Sequence, residues 1–173
     1  EGLGIYVLSL TLLRMFSLLA KIGLDISSVR FISSFIAQNK FSSIPLFRRK
    51  ILSIAAITSI LSSLLMYFFA IDISNLIQID SKYIQLNAFF ILPMSFLMIN
   101  YQSLRGLKRI AEFSFFYRVA QSLFTIIFIL IIYDFNKSED IPIYAYLLSI
   151  LLVSFFSFLS LRYSLNMITK DQD

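Results

Sequence analysis

Five stretches of this chain are apolar on every side, nearly free of charge and long enough to cross a lipid bilayer, and this constrains the fold more than any other feature. A run of roughly 18 or more apolar residues reads as a membrane span. Residues 51–71, 83–104 and 141–161 hold no Asp, Glu, Lys or Arg. Residues 119–133 form a shorter run that Phe115, Phe116 and Tyr117 extend, with Arg118 placed to snorkel to the head groups. Residues 5–22 are interrupted only by Arg14 and Lys21. A helix in water needs a polar face, and these runs have none. The expected fold class is an all-α integral membrane protein in one helix-bundle domain over residues 1–173, with spans at 5–22, 51–71, 84–104, 117–134 and 142–162.

Composition agrees. The chain is 58% hydrophobic and only 14% charged, where a soluble domain is nearer 25% charged. Fifteen Lys and Arg against ten Asp and Glu give +5, and at this hydropathy a basic excess points to anionic lipid head groups rather than nucleic acid. Cys and His are both absent, which removes zinc sites, thiol chemistry and disulfides. No span carries Asp or Glu at membrane depth, so neither acid–base nor metal catalysis is expected: no enzyme, no catalytic residue, no metal and no cofactor. The same absence counts against an ion-coupled pump of cationic drugs. The chain opens on Glu1, with neither an initiator Met nor a signal peptide, which reads as a piece cut upstream and downstream.

The loops give an orientation. Arg30, Lys40, Arg48, Arg49 and Lys50 lie between the first two spans with Lys21 just before them, Arg105, Lys108, Arg109 and Arg118 between the third and fourth, and Arg162 and Lys170 after the fifth. The 72–82 loop has Lys82 against Asp72 and Asp80, and the 134–141 loop has Lys137 against Asp134, Glu139 and Asp140. Lys and Arg accumulate on the cytoplasmic side, so Glu1 is expected outside and Asp173 inside. Tyr6, Tyr67, Tyr83, Tyr101, Tyr117, Tyr133 and Tyr144 fall near span ends, at head-group depth. The apolar 31–49 segment reads as a continuation of the first helix or as an interfacial helix, broken near Pro45. Leu107, Ile110 and Ser114 opposite Lys108, Arg109 and Glu112 predict a second short interfacial helix.

Arg14 is the first functional candidate. An Arg at mid-span costs about 2.5–3.5 kcal/mol on insertion scales, and the nearer surface lies roughly 12 Å away along the helix. It either faces a water-filled cavity, where a guanidinium holds phosphate or carboxylate bidentately, or sits interfacially or against a structural carboxylate elsewhere. Asn87, Asn100, Gln85 and Gln121 need partners in lipid; each lines a cavity or cross-links helices. Asn87 and Asn100 flank Pro93, which predicts a kink in the third span. Ala55, Ser59 and Ser63, and likewise Ser157, Ser160 and Ser164, form small faces suited to close helix packing.

Glu1-Gly2-Leu3-Gly4-Ile5-Tyr6, Ile22-Gly23-Leu24-Asp25, Val29-Arg30-Phe31-Ile32 and Leu104-Arg105-Gly106-Leu107-Lys108-Arg109 together resemble bacterial polysaccharide-biosynthesis flippases. That family is related to the multidrug and toxin extrusion transporters. The resemblance implies a two-lobe transporter in the bacterial cytoplasmic membrane, with this chain forming spans two to six of the first lobe. It implies export of O-antigen or capsule repeat units linked to undecaprenyl diphosphate, with polysaccharide polymerase and chain-length proteins as partners besides membrane lipids. Arg14, Asn87, Asn100 and Gln121 are then the expected cargo-binding residues. Beyond what the resemblance implies, Asp25, Arg30, Arg105 and Arg118 read as a cytoplasmic gate with Asp25 salt-bridged to Arg105 or Arg118, or else as an ordinary helix-end ion pair worth well under about 1 kcal/mol. Two other functions fit the sequence: a multidrug or small-solute exporter of the same fold, and a membrane-embedded glycan polymerase or assembly scaffold.

Overall fold

In the computed structural model, residues 2–135 and 140–170 are described, with side chains over 4–134 and 140–167. Glu1, Lys137, Glu139 and Asp173, on which parts of the expected orientation rest, lie outside the described residues, as does the side chain of Lys170. The described residues form helices and no strands: α1 (Gly2–Lys21), α2 (Leu24–Ala37), α3 (Ser43–Phe68), α4 (Ala70–Ile77), α5 (Ser81–Gly106), α6 (Ile110–Ser114), α7 (Ala120–Phe135) and α8 (Ile141–Lys170), with a π turn, Phe115–Val119, joining α6 to α7. Five segments are long and apolar enough to span a membrane: Gly4–Lys21, Ser43–Phe68, Ser81–Gly106, Ile110–Asp134 and Ile141–Met167. The protein is an all-α, multi-pass membrane protein.

Two connections differ from expectation. The 31–49 segment is not an extension of α1 but parts of two separate helices, and its break lies at 38–42, a few residues before Pro45 rather than at the proline. Ile22 and Gly23 take left-handed backbone, φ 44° and 73°, and turn the chain out of α1 into a separate α2. α2 then closes at Asn39, φ 54°, with the amide of Lys40 donating to Phe35 O and that of Asn39 to Ile36 O, the paired bonds of a Schellman cap. Pro45 is the third residue of α3, in the first turn, where its missing N–H has no carbonyl to lose. The second difference is at 107–114. α5 ends in the same cap at Lys108, φ 61°, with the amides of Lys108 and Arg109 on Arg105 O and Leu104 O. From Ile110 the chain is helical without interruption into α7, so the expected separate interfacial helix is the start of the fourth span.

α5 is the hub, packing on α1, α2, α3, α4 and α8, while α7 packs mainly on α8. Of the most apolar window in α5, 56% is buried, against 17% for the span Ile110–Asp134. A helix enclosed by neighbours has no need of a polar stripe, which is why α5 can mix Asn, Gln and Ser with Ile, Leu and Met all round. The small faces make the contacts close. Ala55, Ser59 and Ser62 are buried on α3, where Ser62 donates to Phe16 O at 3.1 Å and Ser63 to Ala88 O at 2.7 Å. On α8, Ser149 and Ser157 are buried, facing Thr125 at 2.9 Å and Asn100 at 3.2 Å. Outward, Ile57, Ile60, Leu64, Ile126, Leu130 and Phe155 are exposed, as lipid requires.

Candidate functional site: a cationic cleft between α1 and α7

Arg14, thirteenth residue of α1, lies on the face turned toward α7 and α8. Its Nη2 donates to the Tyr146 hydroxyl at 3.4 Å, and its guanidinium carbon is 6.0 Å from the Tyr146 ring centroid. That bond is long and the ring is at the limit of cation–π range, so Tyr146 orients Arg14 without neutralising it. Tyr6, about two turns earlier on the same side of α1, meets Tyr146 edge-on with centroids 6.2 Å apart. Arg14 is exposed in an open cleft rather than enclosed.

The opposite wall comes from the π turn. A π turn adds one residue to the helix and rotates the residues before it relative to those after it. Here it carries Tyr117 and Arg118 onto the same cleft as Gln121 of α7. Tyr117 is held by a ring stack on Phe113, 5.4 Å and 10°, and by Tyr101 at 5.3 Å. The cleft consists of two adjoining hollows of about 350 and 470 Å³, and Arg14, Tyr117, Arg118 and Gln121 line both. The first adds Tyr6, Ser122, Thr125 and Tyr146; the second is floored by Met94, Leu97 and Met98 of α5. No Asp or Glu lines either, and among the described residues neither Arg14 nor Arg118 has a carboxylate partner. The Gln121 Nε2 is buried with no acceptor. Two arginines, Gln121 and several tyrosines thus line one space with no carboxylate among them, a donor-rich lining whose complement is an anion.

The other expected residues are placed elsewhere. Asn87 is buried between α5 and α1, donating to Ser9 O at 3.0 Å and Ser9 Oγ at 2.6 Å. Asn100 is buried between α5, α8 and α3, donating to Ser157 and accepting from Arg48 Nη2 at 3.4 Å. Neither lines the cleft; both take the cross-linking alternative. Asp25, in the first turn of α2, is paired at 2.5 Å with Lys21, the last residue of α1, across the Ile22–Gly23 turn, and not with Arg105 or Arg118. Its Oδ1 is buried and unpartnered. Arg30 and Arg105 share a separate shallow hollow of about 280 Å³ with Ile26, Val29 and Gln102, and Arg105 lies 5.5 Å over the Phe113 ring. The expected gate is therefore split: Arg118 belongs to the cleft, Arg30 and Arg105 form a basic patch, and Asp25 of α2 is tied to Lys21 of α1.

Sequence reading missed Tyr146, and it placed Tyr6 and Tyr117 near span ends without seeing that both line the cleft. The signal for Tyr146 was available, since its hydroxyl lies five residues into an otherwise apolar run and needs a partner there. The π turn left no signal. No family model, curated protein or solved structure matches this chain.

Proposed function

We propose that this protein exports a lipid-diphosphate-linked oligosaccharide repeat unit from the cytoplasmic to the outer leaflet of the bacterial cytoplasmic membrane, as part of the first lobe of a two-lobe transporter. The observation that carries this reading is the pairing of Arg14 and Arg118 in one cleft with no carboxylate to neutralise them. Such a pair is costly at membrane depth unless an anion shares the site. A diphosphate presents several oxygens in the geometry a guanidinium fork prefers. The hydroxyls of Tyr6, Tyr117 and Tyr146 and the Gln121 amide serve the sugar next to it, where rings and donors are the usual recognition groups. Arg14 is exposed at the cleft, so on this reading the lipid tail stays in hydrocarbon while the polar head crosses in the groove.

Crossing a bilayer unaided requires stripping water from a charged head group, which is prohibitive. A polar groove lowers that barrier by replacing water with fixed donors. On this reading the Arg30–Arg105 patch gathers the anionic head group at the cytoplasmic mouth before it enters the cleft. The lobes then rock to re-expose it outside. The lack of a carboxylate in the cleft also disfavours export of cationic drugs.

The test is export in cells depleted of the native protein. Arg14→Ala and Arg118→Ala in the full-length protein are each expected to lower surface polysaccharide roughly tenfold to a hundredfold, the loss of one charge-assisted contact, with membrane insertion unchanged. Arg14→Lys recovers part of the activity, because the charge returns but the fork does not. Normal surface glycan in both alanine variants defeats the assignment.

A further inference from the structure

Away from that cleft, α3 and α8 leave a second groove of about 380 Å³, lined by Arg48, Arg49, Leu52, Ser53, Ala56 and Leu165. Its most unusual member is Arg48. The guanidinium is fixed from two sides: Nη2 donates to Asn100 Oδ1 at 3.4 Å, and its carbon lies 4.8 Å over the Phe158 ring. Asn100 is itself held by Ser157 at 3.2 Å, so the whole support is built from α5 and α8. Yet nothing cancels the charge. Among the described residues Arg48 has no carboxylate partner, and its Nε is buried with no acceptor at all. An N–H of a charged group left unmet in this way costs more than a neutral one. A cation braced in place but left unneutralised is arranged to receive an anion.

The rest of the groove says which anion. Arg49 is the next residue and is exposed, adding a second positive charge at the same level. Beyond the two bases, toward the middle of α3, the lining turns to Leu52 and Ala56, with Leu165 of α8 on the far side. Charge at the end of a span with an apolar furrow leading inward matches a molecule with an anionic head and a hydrocarbon tail. An apolar furrow running from a pair of bases toward the middle of a membrane-spanning helix suits a lipid tail. A free phosphate satisfies the arginines but leaves the furrow unused. We propose that this groove binds an anionic phospholipid, with its phosphate on Arg48 and Arg49 and one acyl chain along Leu52 and Ala56. The site is separate from the Arg14 cleft and bridges α3 to α8 through the lipid, so its occupancy stabilises the bundle.

The experiment uses the full-length protein in a neutral detergent, titrated with phosphatidylglycerol, phosphatidylcholine or inorganic phosphate, and reads the thermal unfolding midpoint together with retained lipid by native mass spectrometry. Phosphatidylglycerol is expected to raise the midpoint and to be retained, while the other two do neither. Arg48→Gln is expected to shift the phosphatidylglycerol titration about tenfold to higher lipid, the loss of one charge-assisted phosphate contact. Lys40→Gln removes the same charge from an exposed position and leaves the titration where it was. Should Arg48→Gln not fold, Ala56→Phe keeps both arginines and fills the furrow, and it too must lose retention. Equal protection by inorganic phosphate overturns the lipid assignment, and so does unchanged titration in Arg48→Gln or Ala56→Phe. A loss in Lys40→Gln as large as in Arg48→Gln reduces the effect to net charge and overturns the site.

Discussion

At the scale of single residues, the polar groups in the spans divide into those that hold helices together and those that wait for something else. Asn87 belongs to the first kind through its amide nitrogen, its Oδ1 being buried without a partner. Both bonds donated by its side-chain amide go to Ser9 on α1, and both residues are fully buried. Asn87→Ala is expected to lower stability by about 1–2 kcal/mol, measured by unfolding in detergent. A cycle with Ser9→Ala should isolate a coupling of about 0.6–1.7 kcal/mol, the range for hydrogen bonds between membrane helices. Arg14→Ala, by contrast, should change stability by under about 0.5 kcal/mol, because Arg14 is exposed and its bond to Tyr146 is long. A coupling near zero for the first pair would reassign Asn87 to solvent or cargo. The sequence displayed Arg14 and Asn87 alike, as polar groups among apolar ones. The neighbour standing opposite separates them, and a single chain read by spacing carries no information on that. Asp25 makes the complementary point: its partner Lys21 was visible at four residues' distance, and the long-range pairing with Arg105 was the weaker inference.

At the scale of elements, the apolar cores of all five spans were legible, and their ends were not. The second span reads as 51–71 by hydropathy, but α3 begins at Ser43 and ends at Phe68. Hydropathy marks the part of a helix that must avoid water, whereas backbone hydrogen bonding continues through Arg48, Arg49 and Lys50 as long as their side chains find head groups or partners. The caps behave similarly. Asn39 tolerates left-handed backbone and advertises a stop, while Lys108 does the same work without a residue type that announces it. Gly106 is the element-scale position most open to test. A Cβ there meets Ile32 Cβ at 3.0 Å and Val29 Cα at 3.3 Å, so α2 crosses α5 at backbone distance, and Ser33 donates to Gly106 O. The motif that carried the family resemblance thus has a packing reason of its own. Gly106→Leu is expected to cost about 1–3 kcal/mol by forcing the helices apart, read as a lowered unfolding midpoint, while Gly4→Leu, where nothing lies within 4 Å, should be near neutral. Equal effects at the two glycines would show that α2 does not approach α5 closely.

For the whole molecule, the alternation of basic and base-poor connections is the strongest global signal, and it comes from the energetics of moving charge across a membrane rather than from packing. It is also independent of the fold: the same sequence pattern says nothing of α5 being central, which emerges only when its neighbours enclose it. This stretch contains no Cys, so single cysteines placed in it report sidedness, with the parent protein labelled in parallel as the background. Asn75 on α4 is exposed between α3 and α5, and Lys40 and Lys108 are exposed at the ends of α2 and α5. In intact cells a membrane-impermeant thiol reagent is expected to label Asn75→Cys, and to label Lys40→Cys and Lys108→Cys only after the membrane is opened. Between Lys40 and Lys108 the chain crosses twice, through α3 and α5, so the two must share a side whatever the absolute orientation. Labelling of both from outside, with Asn75→Cys protected, would invert the topology and put the Arg30–Arg105 patch on the wrong face to gather a cytoplasmic lipid. Labelling of Lys40→Cys and Lys108→Cys from opposite sides would remove one of the two spans, and with it the bundle in which Arg14 and Arg118 meet.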